Sequence, residues 1–139
     1  MGNKKWLIWG LLPLFILIST GCTKEIASHR TVVRRGLLYR VGGETPFTGL
    51  VIGKGREARH TQAMIFRRSY KDGLLDGETY FYYPNGKLES MVPYKEGKIH
   101  GAVICYWPNG KPKSRIHFVK GLRGGTGGEM YWDKNGHPL

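Results

Sequence analysis

Two four-residue strings, Pro84-Asn85-Gly86-Lys87 and Pro108-Asn109-Gly110-Lys111, stand 24 residues apart. Their surroundings keep the same spacing. Tyr70-Lys71-Asp72-Gly73 returns as Tyr94-Lys95-Glu96-Gly97, and Tyr94 and Gly97 return as Phe118 and Gly121. A rhythm of about two dozen residues restricts a chain to stacked copies of one small supersecondary unit, each burying its apolar face against the next. A final partial copy, Gly127 to Leu139, carries Asn135-Gly136 and arrives two residues late, which places an insertion at Arg123-Gly124-Gly125-Thr126. A weaker first copy opens at Pro46-Phe47-Thr48-Gly49 and closes at Tyr70-Lys71-Asp72-Gly73. Its middle, Gly53 to Thr61, lacks Asn-Gly and reads as a degenerate hairpin tip.

The unit is a β-hairpin. Asn-Gly between aromatic and β-branched runs predicts a type I′ turn, which needs positive φ at both central residues. The turns are therefore expected at Asn85-Gly86, Asn109-Gly110 and Asn135-Gly136. Lys-Asp-Gly and Lys-Glu-Gly supply a second turn per unit. Thr79 to Tyr83 and Val103 to Trp107 are strand-prone. Val92 and Tyr94 alternate with Lys95, and Ile116 and Phe118 with Arg115 and His117. That is a period of two, with one face dry and one wet. The expected fold is all-β, an elongated meander of antiparallel hairpins over residues 46–139, stacked like a solenoid because one hairpin alone is marginal in water.

These motifs resemble the MORN repeat family, and within it the bacterial second variant of YwqK-like proteins. The matching elements are Gly77 with Tyr82 and Asn85-Gly86, Gly101 with Tyr106 and Asn109-Gly110, Tyr94-Lys95-Glu96-Gly97, and Pro46-Phe47-Thr48-Gly49. The resemblance implies a hairpin rod used as a scaffold or binding surface. In eukaryotic relatives it implies association with membrane lipid, and some YwqK-like proteins carry the label antitoxin.

Residues 1–21 read as an address. Lys4 and Lys5 precede Trp6 to Ile18, thirteen uncharged residues interrupted by Pro13. A spanning helix needs ~20 apolar residues, so the pattern is a secretory signal, expected as a helix. Its end, Ile18-Ser19-Thr20-Gly21-Cys22, resembles the lipobox of bacterial lipoproteins, with Ser19 where Leu is usual. The resemblance implies cleavage before Cys22 and a diacylglycerol on its sulfur. A two- or three-chain anchor holds a protein stably, at ~0.8 kcal/mol per buried methylene. Thr23 in place of Asp implies the outer membrane, facing the periplasm, if the host has two membranes.

Residues 22–45 read as a basic segment beside that anchor. The chain has 22 Lys+Arg against 10 Asp+Glu, a net +12. Residues 24–72 alone hold eleven basic residues against four acidic ones. Arg34, Arg35, Arg67 and Arg68 are the candidate contacts for an anionic lipid or glycan. Export from the cytoplasm removes nucleic acid as a partner. In the aromatic runs, consecutive rings face opposite sides of a strand. One set is expected in the core and the other, Phe81, Tyr83 and Trp107, on an exposed surface, unless cross-strand pairing occupies both. Two cysteines exclude a disulfide scaffold and a four-thiolate zinc site. Cys105 reads as a buried, inert thiol, or as a partner for Cys22 in competition with acylation. The five histidines lack metal-ligand spacing, no motif selects a catalytic pair, and no cofactor is implied. The reading is a non-enzymatic, lipid-anchored envelope scaffold with a protein partner. The alternatives are a binder of anionic lipid or glycan and an immunity protein against a periplasm-acting toxin.

Overall fold

The structure is a computed structural model, and it describes residues 23–55 and 63–139. The expected signal segment with Cys22 lies outside the described residues, as do Arg56, Arg59 and most of the degenerate tip.

The described chain is almost entirely strand. In order come β1 (Glu25–Ala27), a 3-10 turn (Ser28–Arg30), β2 (Thr31–Arg34), β3 (Leu37–Arg40), β4 (Gly49–Gly55) and β5 (Met64–Lys71). There follow β6 (Leu74–Tyr82), β7 (Leu88–Lys95), β8 (Lys98–Ile99), β9 (Gly101–Tyr106), β10 (Pro112–Val119), β11 (Leu122–Arg123) and β12 (Glu129–Tyr131). Ten of them form one sheet ordered β1-β4-β5-β6-β7-β9-β10-β11, with β8 alongside β7 and β12 alongside β10. β2 and β3 make a separate hairpin. From β4 onward every pair is antiparallel, the expected meander. The exception is β1, which pairs parallel with β4 through Ile26 opposite Val51. Part of the segment read as merely basic is thus a strand of the sheet.

The two-residue lateness of the last copy appears in the register. Ser90 faces Cys105, and Ser114, 24 residues later, faces Tyr131, which stands 26 beyond Cys105. The Gly124–Gly128 excursion between β11 and β12 absorbs the difference.

The two turn types fall opposite to expectation. Positive φ at both central residues occurs at Arg35-Gly36, Asp72-Gly73, Glu96-Gly97 and Lys120-Gly121. These are the two-residue hairpin loops. At the Asn-Gly sites only Gly86, Gly110 and Gly136 are positive. There the amides of Gly86, Gly110 and Gly136 donate to the carbonyls of Tyr83, Trp107 and Asp133, three residues back. The geometry is a type I turn followed by a glycine bulge. Proline explains the first two: Pro84 and Pro108 hold φ near −65°, which suits the first central position of a type I turn and is incompatible with type I′.

The turns stack into two ladders along opposite edges. On the hairpin-loop edge, the amides of Gly73, Gly97 and Gly121 donate to the carbonyls of Phe47, Leu75 and Ile99 of the preceding unit. The residue before each glycine is capped by a side chain: Thr48 Oγ1 accepts from Asp72 N, Asp76 Oδ2 from Glu96 N, and His100 Nδ1 from Lys120 N. On the Asn-Gly edge, Asn85 Nδ2 donates to Pro108 O and Asn109 Nδ2 to Lys134 O. Lys87 Nζ and Lys111 Nζ donate to the carbonyls of Asn109 and Asn135. Each repeat therefore grips the next through backbone oxygens.

The Glu96 amide, reinforced by Lys95 at 3.5 Å, holds the Asp76 carboxyl below its ordinary range against the opposing effect of desolvation. A lowered folded value means stability that is full above the unfolded value and lost as pH falls through the folded one. Asp76→Ala should therefore lower the melting temperature at neutral pH and flatten its fall on acidification. A parallel acid profile in parent and variant would refute the cap.

One face of the sheet carries the core. Ile26, Leu38, Phe47, Val51 and Phe66 form a buried cluster, with Tyr70 and Phe81 packed against it. All lie in the first half of the described chain. Further along, the same face continues from Phe81 through Ser90, Cys105 and Ser114, small side chains facing one another across β6, β7, β9 and β10. Thr79 is buried there with no hydrogen-bond partner for its hydroxyl.

Candidate functional site

The four candidate arginines do not form one site. Arg67 and Arg68 are neighbours on β5 and point to opposite faces. Arg68 lies on the core face, its guanidinium 4.1 Å from the Phe66 ring centroid and 5.6 Å from that of Phe81. Arg67 is exposed on the other face, between Ile52 and Tyr80. Arg34 and Arg35 lie at the β2–β3 turn. Arg34 stacks on Tyr39 at 4.1 Å and donates to Gly43 O, while Arg35 is the exposed first residue of the loop.

The expected aromatic surface is also redistributed. Phe81 belongs to the core side, opposite Phe66. Tyr83 is half-buried and donates its hydroxyl to Tyr106 O at 2.7 Å. Desolvation, with the charge of Glu89 second, pushes that phenol's pKa up. Trp107, 24 residues on, repeats the role with Nε1 donating to Trp132 O at 3.1 Å. These two rings are ties between successive repeats. The rings that face the other way are Tyr80 and Tyr82, which the sequence alternation separates from Phe81 but cannot assign to a side.

Trp107 differs from Tyr83 in its surroundings. Lys113 Nζ lies 4.6 Å and Lys134 Nζ 5.7 Å from its ring centroid. Beside it is an open pocket of about 220 Å3 bounded by Trp107, Pro108, Asn109 and Lys134. Neither lysine was singled out by sequence. Lys134 precedes an Asn-Gly and Lys113 follows a proline, and the repeat pattern marks neither.

A further surface is the sheet face opposite the core. A row crosses it from Ile52 through Arg67, Tyr80, Met91, Ile104 and Arg115 to Met130, each opposite the next. Ile65 is 42% exposed and Met130 47%. No described strand or helix covers this face, because the chain forms a single layer beyond the β2–β3 hairpin. It combines apolar and aromatic area with guanidinium groups, the composition of protein-binding patches. Among the described residues no group of three metal-ligating side chains comes together, and no helix is long and apolar enough to cross a membrane.

Two stretches, residues 75–96 and 99–120, match the family model of the MORN repeat variant. They carry MORN-variant repeats. In the fold these stretches are β6 with β7, and β8 and β9 with β10, each enclosing one Asn-Gly turn. The repeat boundary at residues 97–98 coincides with the Glu96-Gly97 hairpin loop. Comparison with curated proteins returned no match, and comparison with solved structures returned none. MORN repeats generally serve as protein- or membrane-interaction modules, and the open basic and apolar face is a surface suited to either.

Proposed function

We propose that the chain is a non-enzymatic scaffold of the cell envelope, held by a lipid on Cys22 and binding a protein partner on the open face of its sheet. The supporting observation is the Ile52-to-Met130 row, an uncovered apolar band interrupted by Arg67 and Arg115. A sheet one layer thick offers such a band as an extended surface for a protein partner. The lipobox-like Ile18-to-Cys22 sequence supports the anchor, and Thr23 supports the outer membrane where the host has two.

Crosslinking in intact cells followed by pull-down tests the reading. A discrete protein adduct is expected with the parent chain and should be lost in Met91→Glu/Ile104→Glu, which charges the middle of the band. Cys22→Ser should move the chain out of the membrane fraction and abolish lipid labelling. Retention in the membrane fraction would defeat the anchor. An adduct unchanged by the double variant would defeat the face. Binding of an anionic glycan is the second reading, favoured by Trp107 between Lys113 and Lys134. It predicts retention on an acidic polysaccharide that collapses as salt shortens the Debye length below ~10 Å.

A further inference from the structure

The β2–β3 hairpin has an edge with which no described strand pairs. β2 pairs with β3 alone among the described strands. The Val41 amide donates to Arg30 O, and the two-residue loop closes at Arg34 opposite Leu37. In an antiparallel pair the bonded residues alternate, so Arg30, Val32 and Arg34 spend their backbone groups on the β3 side. Val33 therefore directs its N–H and C=O outward and Thr31 its C=O, while the Thr31 N–H donates to Ser28 O as the cap of the 3-10 turn. The usual protections of an edge are proline, lysine or a bulge, and β2 reads Thr-Val-Val-Arg in unbroken register. Val33 is 65% and Val32 39% exposed.

Two further observations say what the edge accepts. Val33 faces Leu38 across the hairpin, and both border a groove of about 230 Å3 completed by Tyr70, Leu74 and Leu75. A strand added beside β2 would place the residue next to Val33 over this groove. Around the edge, residues 28–44 hold Arg30, Arg34, Arg35 and Arg40 against Glu44 alone. Arg30 and Arg34 lie on the side away from the groove, by the alternation of β2.

We infer that β2 is a docking edge for an extended acidic peptide segment of a partner protein, with alternate apolar residues entering the Val33–Leu74 groove and alternate carboxylates meeting Arg30 and Arg34. Backbone bonds to the N–H and C=O of Val33 and to the C=O of Thr31 supply the pairing, as in other strand-addition modes. A second copy is disfavoured as the occupant, because two β2 edges would bring like-charged arginines together. The inference rests on the protein-scaffold reading and gives the partner's contact a second location, distinct from the open sheet face.

The test uses the full chain and the peptide Glu-Val-Glu-Val-Glu, capped at both ends, with Glu-Glu-Glu-Val-Val as the control of equal charge. Titration followed by amide chemical shifts should show saturable binding of the alternating peptide, at least tenfold tighter than the control, with shifts centred on Thr31 to Arg34. Val33→Pro removes the outward N–H together with the valine side chain on the groove, at an edge position of the kind that admits proline. It should cut affinity tenfold or more without changing the dichroism spectrum. If that variant misfolds, N-methylating the peptide's central residues gives the same expected loss on the parent chain. Equal binding of the two peptides, or shifts elsewhere, overturns the edge. So does concentration-dependent self-association that Val33→Pro abolishes. Failure here with the crosslinked adduct intact refutes the β2 edge and leaves the scaffold reading standing; an adduct unchanged in the face variant, with peptide binding intact, defeats the open face and leaves the β2 edge standing.

Discussion

Gly49→Ala is expected to destabilise the protein by about 3 kcal/mol or more, in the range of combined backbone strain and steric exclusion. Gly49 starts β4, pairs with Tyr70 and has φ of 145°. A Cβ there would lie 2.2 Å from Lys24 O and 2.8 Å from Phe47 Cζ. The oxygen cannot swing aside like a side-chain tip. It belongs to the backbone just before β1 and accepts the amide of Leu50 at 2.8 Å. To admit a methyl group, β1 must leave β4. That exposes Ile26, whose burial is worth roughly 1.5–3 kcal/mol, together with the parallel pairing of Glu25 to Ala27. Gly86→Ala is the matched comparison. Gly86 has φ of 82° and nothing within 4 Å of its missing Cβ. It should lose only the roughly 1 kcal/mol that positive φ costs a residue with a side chain. Chemical denaturation midpoints of the two variants measure the difference. Equal midpoints would mean that β1 is not held where the fold places it.

The contrast also shows what the sequence makes legible. Repeat spacing identified the hairpins from β4 onward, the Asn-Gly turn positions and the two-residue insertion before β12. These features are local, and each is signalled by glycine or by alternation. Turn type was not legible from Asn-Gly alone, which favours type I′, because the prolines before Asn85 and Asn109 decide the matter. The first I′ loop, Arg35-Gly36, went unnoticed because Gly36 precedes Gly73 by 37 residues and so falls outside the rhythm. β1 has three residues, too few to show a period, and its parallel partner comes from the far side of an intervening hairpin. Side assignment was the other gap. Alternation separates Phe81 from Tyr80 and Tyr82, but only the cluster around Leu38 and Phe47 determines which side is covered. The arginines followed the same logic: adjacency in sequence suggested a patch at Arg67-Arg68, and strand geometry splits them.

Phe66→Ala should cost about 3–5 kcal/mol, the usual span for removing a buried phenyl group. Phe66 sits where the site can least collapse. Opposite it on β4 is Gly53, which has no side chain to move into the space, and on β6 is Phe81, already fixed beneath Arg68. The guanidinium of Arg68 would lose the ring it covers at 4.1 Å and face a void. The loss should not spread evenly. In a repeat array each unit contacts its neighbours alone. The later repeats are joined by the Tyr83–Tyr106 and Trp107–Trp132 bonds and by the two turn ladders, none of which involves Phe66. Native-state hydrogen exchange should therefore show protection collapsing in β1, β4 and β5, and at the seat of the β2–β3 hairpin on Leu38 and Phe47. Protection in β9 and β10 should persist nearer the parent level. The variant would then bind the acidic peptide poorly while keeping a β-type dichroism spectrum. Uniform loss of protection through Val119 would instead show that the sheet unfolds as a single cooperative unit. The turn ladders would then transmit the core's stability across every repeat.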